Sequence, residues 1–198
     1  MRSAALRTVS VVGRHDSGKT TFLLALLPIL VGRGLRVGYL KHAHAGFEID
    51  QPDKDSYRAR RAGVVQTIVT GGGQTAVIDD GGESTISEVL ERYAREDLDL
   101  IVVEGFKREP LPKIEVARMA VSKGELVCAN DPLLVAVVSD FDPPRRDVPH
   151  FAMDDHAGVA DLVWTKVLGR EGVVVAPGGG RGRRVRGRAG PAKKVPLR

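Results

Sequence analysis

The chain has 198 residues, 42% of them hydrophobic, which suits one domain with a real core. Its single cysteine, Cys128, excludes an internal disulfide and points to a reducing compartment, and no apolar run is long enough to span a membrane. The net charge of +5 is local: eight of the 30 basic residues lie in 181–198 with no acid among them, which leaves 22 against 25 acids elsewhere.

Arg2 and Arg7 have no long apolar segment behind them, so no signal peptide is expected. Residues 8–12 alternate and are β-branched, which predicts a buried strand. Gly13-Arg14-His15-Asp16-Ser17-Gly18-Lys19-Thr20 follows and fits G-x-x-x-x-G-K-[ST], the phosphate-binding P-loop. A triphosphate packs several negative charges into a small volume. Holding it takes inward-pointing backbone N–H groups, and Gly13 and Gly18 let the backbone approach without side-chain clash. Lys19 would reach the β- and γ-phosphates and the Thr20 hydroxyl a Mg²⁺ ion. Thr21 would meet a phosphate nearer the sugar. The apolar run 22–27 predicts a helix whose N-terminus faces the anion, with a stop at Arg33-Gly34.

Residues 36–40 predict a second strand, ending at Lys41-His42-Ala43-His44. Ligands of open α/β sheets sit at the carboxyl ends of strands, so Lys41 and His42 would lie beside the phosphate site. The two histidines, His42 and His44, read as part of a loop near a nucleotide rather than as a metal site. Asp50 ends a short alternating run and could hold a metal-bound water or orient an attacking one; its other reading is a turn or cap. Asp53 or Asp55 fits the cap of a short helix over 56–63 better. Arg58, Arg60 and Arg61 on that helix could form a kinase-like lid.

Residues 65–70 and 75–78 flank Gly71-Gly72-Gly73-Gln74, a β-hairpin signal that would add antiparallel strands to one side of a parallel sheet. Ile86, Val89, Leu90 and Tyr93 recur at helical spacing, which predicts a helix over 86–97 packed on the sheet. The run 100–103 predicts a strand buried on both faces, with Glu104 at its carboxyl end, where an acid can face a metal. Residues 112–118 predict another strand. Lys113 and Arg118 in it could serve phosphates or equally face solvent. The strand 133–140 ends in Asp140, a residue that could touch a base. The guanine-reading pattern N-K-x-D is absent, so base preference does not follow from the residues. Asp154 and Asp155 would cap a last helix over 157–168.

The expected fold is therefore a three-layer α/β P-loop NTPase, mainly parallel with an antiparallel hairpin, over residues 1–168. Residues 169–198 read as a basic, disordered tail, because Gly, Arg and Pro dominate the stretch and little of it can be buried. Without aromatics between the charges, that tail fits a solvated end better than a nucleic-acid arm.

Three segments carry a resemblance to a family. They are the P-loop, the stretch from Lys41-His42-Ala43-His44 to Ser56-Tyr57, and Leu100-Ile101-Val102-Val103-Glu104-Gly105-Phe106-Lys107. Together with Lys113-Ile114 they resemble the molybdopterin-guanine dinucleotide biosynthesis protein B family over roughly residues 7–168. The resemblance implies GTP and Mg²⁺ binding, slow GTPase activity, a homodimer and a cytoplasmic location. It implies an accessory role beside the guanylyltransferase that joins GMP to molybdopterin, and beside molybdopterin-bearing proteins. Carried over by position, Gly13, Asp16, Ser17, Gly18, Lys19, Thr20 and Thr21 hold phosphates, with Lys41 and His42 in the cleft. Thr20, Asp50 and Glu104 stand around the metal, and Lys19, Asp50 and Glu104 around the reaction. The loop residues Arg14-His15-Asp16 depart from the family's small or hydroxyl residues; Asp16 adds a negative charge that Arg14 could offset.

Overall fold

The computed structural model describes residues 7–43, 46–80, 82 and 84–170. The expectations for His44 and for the basic tail lie outside them. In chain order the first elements are β1 (Arg7–Val12), α1 (Lys19–Gly32), β2 (Val37–Lys41), α2 (Asp55–Arg61), β3 (Gln66–Gly71), β4 (Gln74–Asp79) and α3 (Ile86–Tyr93). Then follow β5 (Leu100–Glu104), β6 (Lys113–Ala117), α4 (Met119–Ser122), β7 (Leu134–Ser139), β8 (His150–Phe151) and α5 (His156–Leu162).

Six strands form one sheet in the order β2-β5-β1-β6-β7-β8, and every pairing is parallel. Helices on both faces make the three layers expected from the sequence. On one face Val9, Val11, Val102, Ile114 and Val138 meet the apolar sides of α1 and α5. On the other, Ile101 and Val103 pack with Ile86 of α3, and Val12, Ala117 and Val137 with Leu126 and Cys128. β5 is buried along its whole length, which explains its unbroken apolar run. Because the strands are parallel, their carboxyl ends line one edge. The loop after β1, Lys41, Glu104, Arg118 and Asp140 all emerge there.

The hairpin forms, but as a separate two-stranded sheet rather than an extension of the main one. Its turn is determined locally: Gly72 and Gly73 both take positive φ (58° and 80°), the backbone of a tight hairpin turn. Its strands are exposed almost throughout, Ile68, Val69 and Val77 included, so neither face of the hairpin is packed against the large sheet. Polar ties hold it to its neighbours instead. Arg60 of α2 grips Asp80 through two hydrogen bonds of 3.0 and 3.1 Å, and Arg92 and Tyr93 of α3 bond Asp79.

Other local expectations shift for similar reasons. The helix expected over 86–97 stops at Tyr93, where Ala94 turns extended and Arg95 clamps Asp97. Lys54, not Asp53 or Asp55, is the N-cap of α2, without a side-chain bond; Asp53 instead takes a left-handed backbone in the turn before it. The helix expected over 157–168 begins on the Asp155 cap as expected and continues past Leu162 as a π-helical turn, Val163–Val167.

Lys113 neither faces solvent nor serves phosphates. It is 1% exposed and pairs with Asp131 at 2.9 Å. Alternation in β6 sends Ile114 and Val116 to one face, and Lys113, Glu115 and Ala117 to the other. There Glu115 accepts bonds from the amides of Val127 and Cys128 at 2.6 and 2.8 Å, so the buried charges pin the loop that covers this face.

Candidate functional site

The loop after β1 owes its path to two glycines. Gly13 has φ +148°, and a Cβ there would lie 2.2 Å from the Val116 carbonyl oxygen. The backbone thus lies directly on β6, closer than any side chain allows. Gly18 is left-handed (φ +90°) and caps α1 without a side-chain bond. The first helical bond runs from the Phe22 amide to the Gly18 carbonyl at 2.9 Å. The amides of Lys19, Thr20 and Thr21 therefore have no helical acceptor and form the positive end of the helix dipole. Ser17 is fully buried, yet its Oγ has no partner among the described residues. Lys19 Nζ folds back over the loop and donates to the Arg14 carbonyl at 2.6 Å. An anion seated there would find an ammonium group, free amides and a hydroxyl on one side, the donor set of a phosphate cradle.

Beside the cradle stands Glu104, 6% exposed. The register pairs it with Val11 of β1 on one side and Lys41 of β2 on the other. Thr20 donates its hydroxyl to Glu104 Oε1 at 2.7 Å, and Tyr39 donates to Oε2 at 2.5 Å. Lys41 Nζ lies 3.7 Å from Oε1. Burial works to raise the Glu104 pKa, but the bonds from Tyr39 and Thr20 and the nearby Lys41 and Lys19 outweigh it and hold it below its ordinary value. Burial pushes the Lys19 pKa down, against the pull of Glu104 and Asp16. A Thr hydroxyl bonded to an ionised acid is the pair that holds Mg²⁺ beside a phosphate cradle, the Thr directly and the acid directly or through water. These residues therefore fit the ion.

Tyr39 is not among the site residues anticipated from the sequence, since an aromatic residue in a strand reads as core. It supplies the largest of the bonds that depress the Glu104 pKa. Tyr39→Phe should therefore raise the Glu104 titration midpoint in a carboxylate NMR titration. A folded-state pKa below the ordinary 4.5 adds stability above that value and loses it as pH falls through the lowered one. The variant should then begin acid unfolding at a higher pH than the parent; an unmoved midpoint would refute the role.

The structure thus brings Lys19, Thr20, Glu104 and Lys41 together. His42 lies next to them, its ring stacked on Phe106 with centroids 4.3 Å apart and its amide bonded to the Glu104 carbonyl. Asp50 Oδ1 accepts from the Ser56 hydroxyl at 2.8 Å, which ties it to the start of α2, while its buried Oδ2 has no partner among the described residues. Arg14 does not offset Asp16. It pairs with Glu125 at 2.7 Å, and Asp16 pairs with His15 at 2.9 Å. Of the arginines suited to a lid, Arg60 is held by Asp80 and Arg61 lies over the Tyr57 ring. The cleft these residues line with Glu48 and Gly63 carries both signs of charge. Arg118 is brought to the phosphate loop: a Cβ on Gly18 would stand 3.0 Å from its Nε. Among the described residues no helix is long and apolar enough to cross a membrane.

Fold and loop together define an α/β protein of the P-loop class. A family model described as molybdopterin guanine dinucleotide synthesis protein B, MobB, matches residues 8–140. The molybdopterin-guanine dinucleotide biosynthesis adapter protein of Escherichia coli (strain K12) is 39% identical over 150 residues, 74% of this chain and 85% of that one. The crystal structure of Bacillus subtilis MobB superposes with a TM-score of 0.64 at 28% identity, covering 82% of this chain and 98% of that one. A MobB homologue from Bacillus stearothermophilus gives 0.60 at 28% identity, over 82% and 99%. The chain belongs to the MobB family.

Proposed function

We propose that this protein binds GTP with Mg²⁺ in the loop Gly13–Thr20 and acts as an adapter in molybdopterin guanine dinucleotide synthesis, beside the guanylyltransferase that attaches GMP and the proteins that carry molybdopterin. The observation that carries the nucleotide reading is the Thr20–Glu104 pair standing at the N-terminus of α1, where no side chain caps the helix. The adapter role rests on the relatives, named as adapter proteins of that synthesis.

In this reading the amides of Lys19 to Thr21 and the Lys19 ammonium group bind the phosphates, and Ser17 gains a partner for its buried hydroxyl. Mg²⁺ would be held by Thr20 and Glu104, and would neutralise charge on the β- and γ-phosphates. Hydrolysis would be slow for a structural reason. Glu104 already accepts two hydrogen bonds and faces Lys41, so it is poorly disposed to take a proton from water. The same reading makes the protein a cytoplasmic homodimer. Leu24 and Val31, 68% and 56% exposed on the outer side of α1, are apolar surface that a second copy could cover.

The test is a calorimetric titration of the full chain with GTP and with ATP, each with and without Mg²⁺. GTP should bind, bind more tightly with the metal, and bind more tightly than ATP. Failure of both nucleotides to bind would overturn the reading.

A further inference from the structure

On the reading that the loop binds a nucleotide, we propose that Arg118 is a second phosphate-binding cation, placed on the α-phosphate at the flank of the loop opposite the metal. The guanidinium lies over Gly18: an ideal Cβ there would be 3.0 Å from Nε, 3.3 Å from Nη2 and 3.5 Å from Cζ. Gly18, with φ +90° and no side chain, lets the guanidinium lie close over the loop backbone. Arg118 is exposed, and no carboxylate lies within ion-pair distance of it among the described residues. The neighbouring cations are committed differently. Arg14 pairs with Glu125, Lys41 faces Glu104, and Lys19 lies across the loop on the Arg14 carbonyl. A magnesium-bound nucleoside triphosphate keeps about two negative charges, and among the described residues Lys19 and Arg118 are cations at the loop outside any ion pair.

The sheet order decides which phosphate Arg118 meets. β1 lies between β5 and β6. Glu104 ends β5 and bonds Thr20, so Mg²⁺ would be held on that flank and would neutralise phosphate charge there. Arg118 directly follows β6 on the other flank, where the α-phosphate and sugar would lie. The peptide that follows it is held at both its N–H and its C=O. The Met119 amide donates to Asp140 Oδ1 at 2.7 Å, and the Ser122 hydroxyl donates to the Arg118 carbonyl at 2.8 Å.

The experiment compares the full-length parent with Arg118→Ala and Arg118→Lys by calorimetric titration of GTP and GDP, both with Mg²⁺, with thermal melting as a fold control. Arg118→Ala should weaken both nucleotides by the same factor, about 10- to 100-fold, the range of a charge-assisted hydrogen bond. Arg118→Lys should recover part of the loss, since it keeps the charge without the fork. The melting temperature should stay unchanged, because the side chain is exposed and unpaired. Unchanged affinities, or a loss for GTP alone, would overturn the assignment; the latter would move the contact to the γ-phosphate. If the parent binds neither nucleotide, the nucleotide reading itself fails and this assignment with it. If the parent binds and Arg118→Ala binds equally well, only the present assignment fails.

Discussion

Lys19→Ala is expected to weaken magnesium-GTP binding by about 100-fold or more while leaving the fold intact. The ammonium group lies over the loop at 2.6 Å from the Arg14 carbonyl, between the cradle and the Glu104 flank. Bound phosphates would replace that carbonyl with two charged acceptors. Charge-assisted bonds contribute about 1.5–3 kcal/mol each, so losing two costs about 3 kcal/mol or more, at least two orders of magnitude in affinity. The free protein loses only a bond to one loop carbonyl, so its melting temperature should change by roughly 3 °C at most. Calorimetric titration and thermal melting of the variant measure the two effects separately. Parent-like affinity would remove the loop from nucleotide binding.

Gly13→Ala is expected to act through the fold and through binding together. The added methyl would stand 2.2 Å from the Val116 carbonyl oxygen and 2.7 Å from Ser17 Oγ, on a backbone with φ +148°. The first contact is with the central sheet, which cannot yield without disturbing β6. Backbone strain and overpacking together cost about 3 kcal/mol or more, which lowers the melting temperature of a chain this size by roughly 6–12 °C. Lifting the loop off β6 also misaligns its amides, so GTP affinity should fall with stability. Circular dichroism melting checks the first effect. A melting temperature within about 2 °C of the parent would mean that the loop does not depend on its seat against β6.

The elements around the loop could be read without a structure because their causes are local. β-branched alternation makes β1, an apolar run makes α1, and two glycines spaced by four residues make the turn between them. Glu104 was legible because an acid directly after a wholly apolar strand must emerge at its end. Tyr39 was not. Its hydroxyl reaches Glu104 only because β2 lies against β5 in the register that pairs Lys41 with Glu104. Lys113 was unreadable for a related reason: both faces of β6 are covered, and alternation alone cannot say that one cover contains Asp131. Asp50 and Glu104 looked equivalent as acids near strand or loop ends, yet only Glu104 bonds Thr20.

Sequence alone determined what depends on a few neighbouring residues: the strand–loop–helix unit, the hairpin turn at Gly72-Gly73, the Asp155 cap and the family. Those follow from backbone preferences and periodicity, which act over about one helical turn or one pleat. Tertiary structure decided which distant groups meet. The order β5-β1-β6 sets Glu104 on one flank of the loop and Arg118 on the other. It also leaves the hairpin outside the main sheet. Pairing between strands far apart in the chain is chosen by the apolar surface that the whole assembly buries, and no short stretch of sequence contains that information.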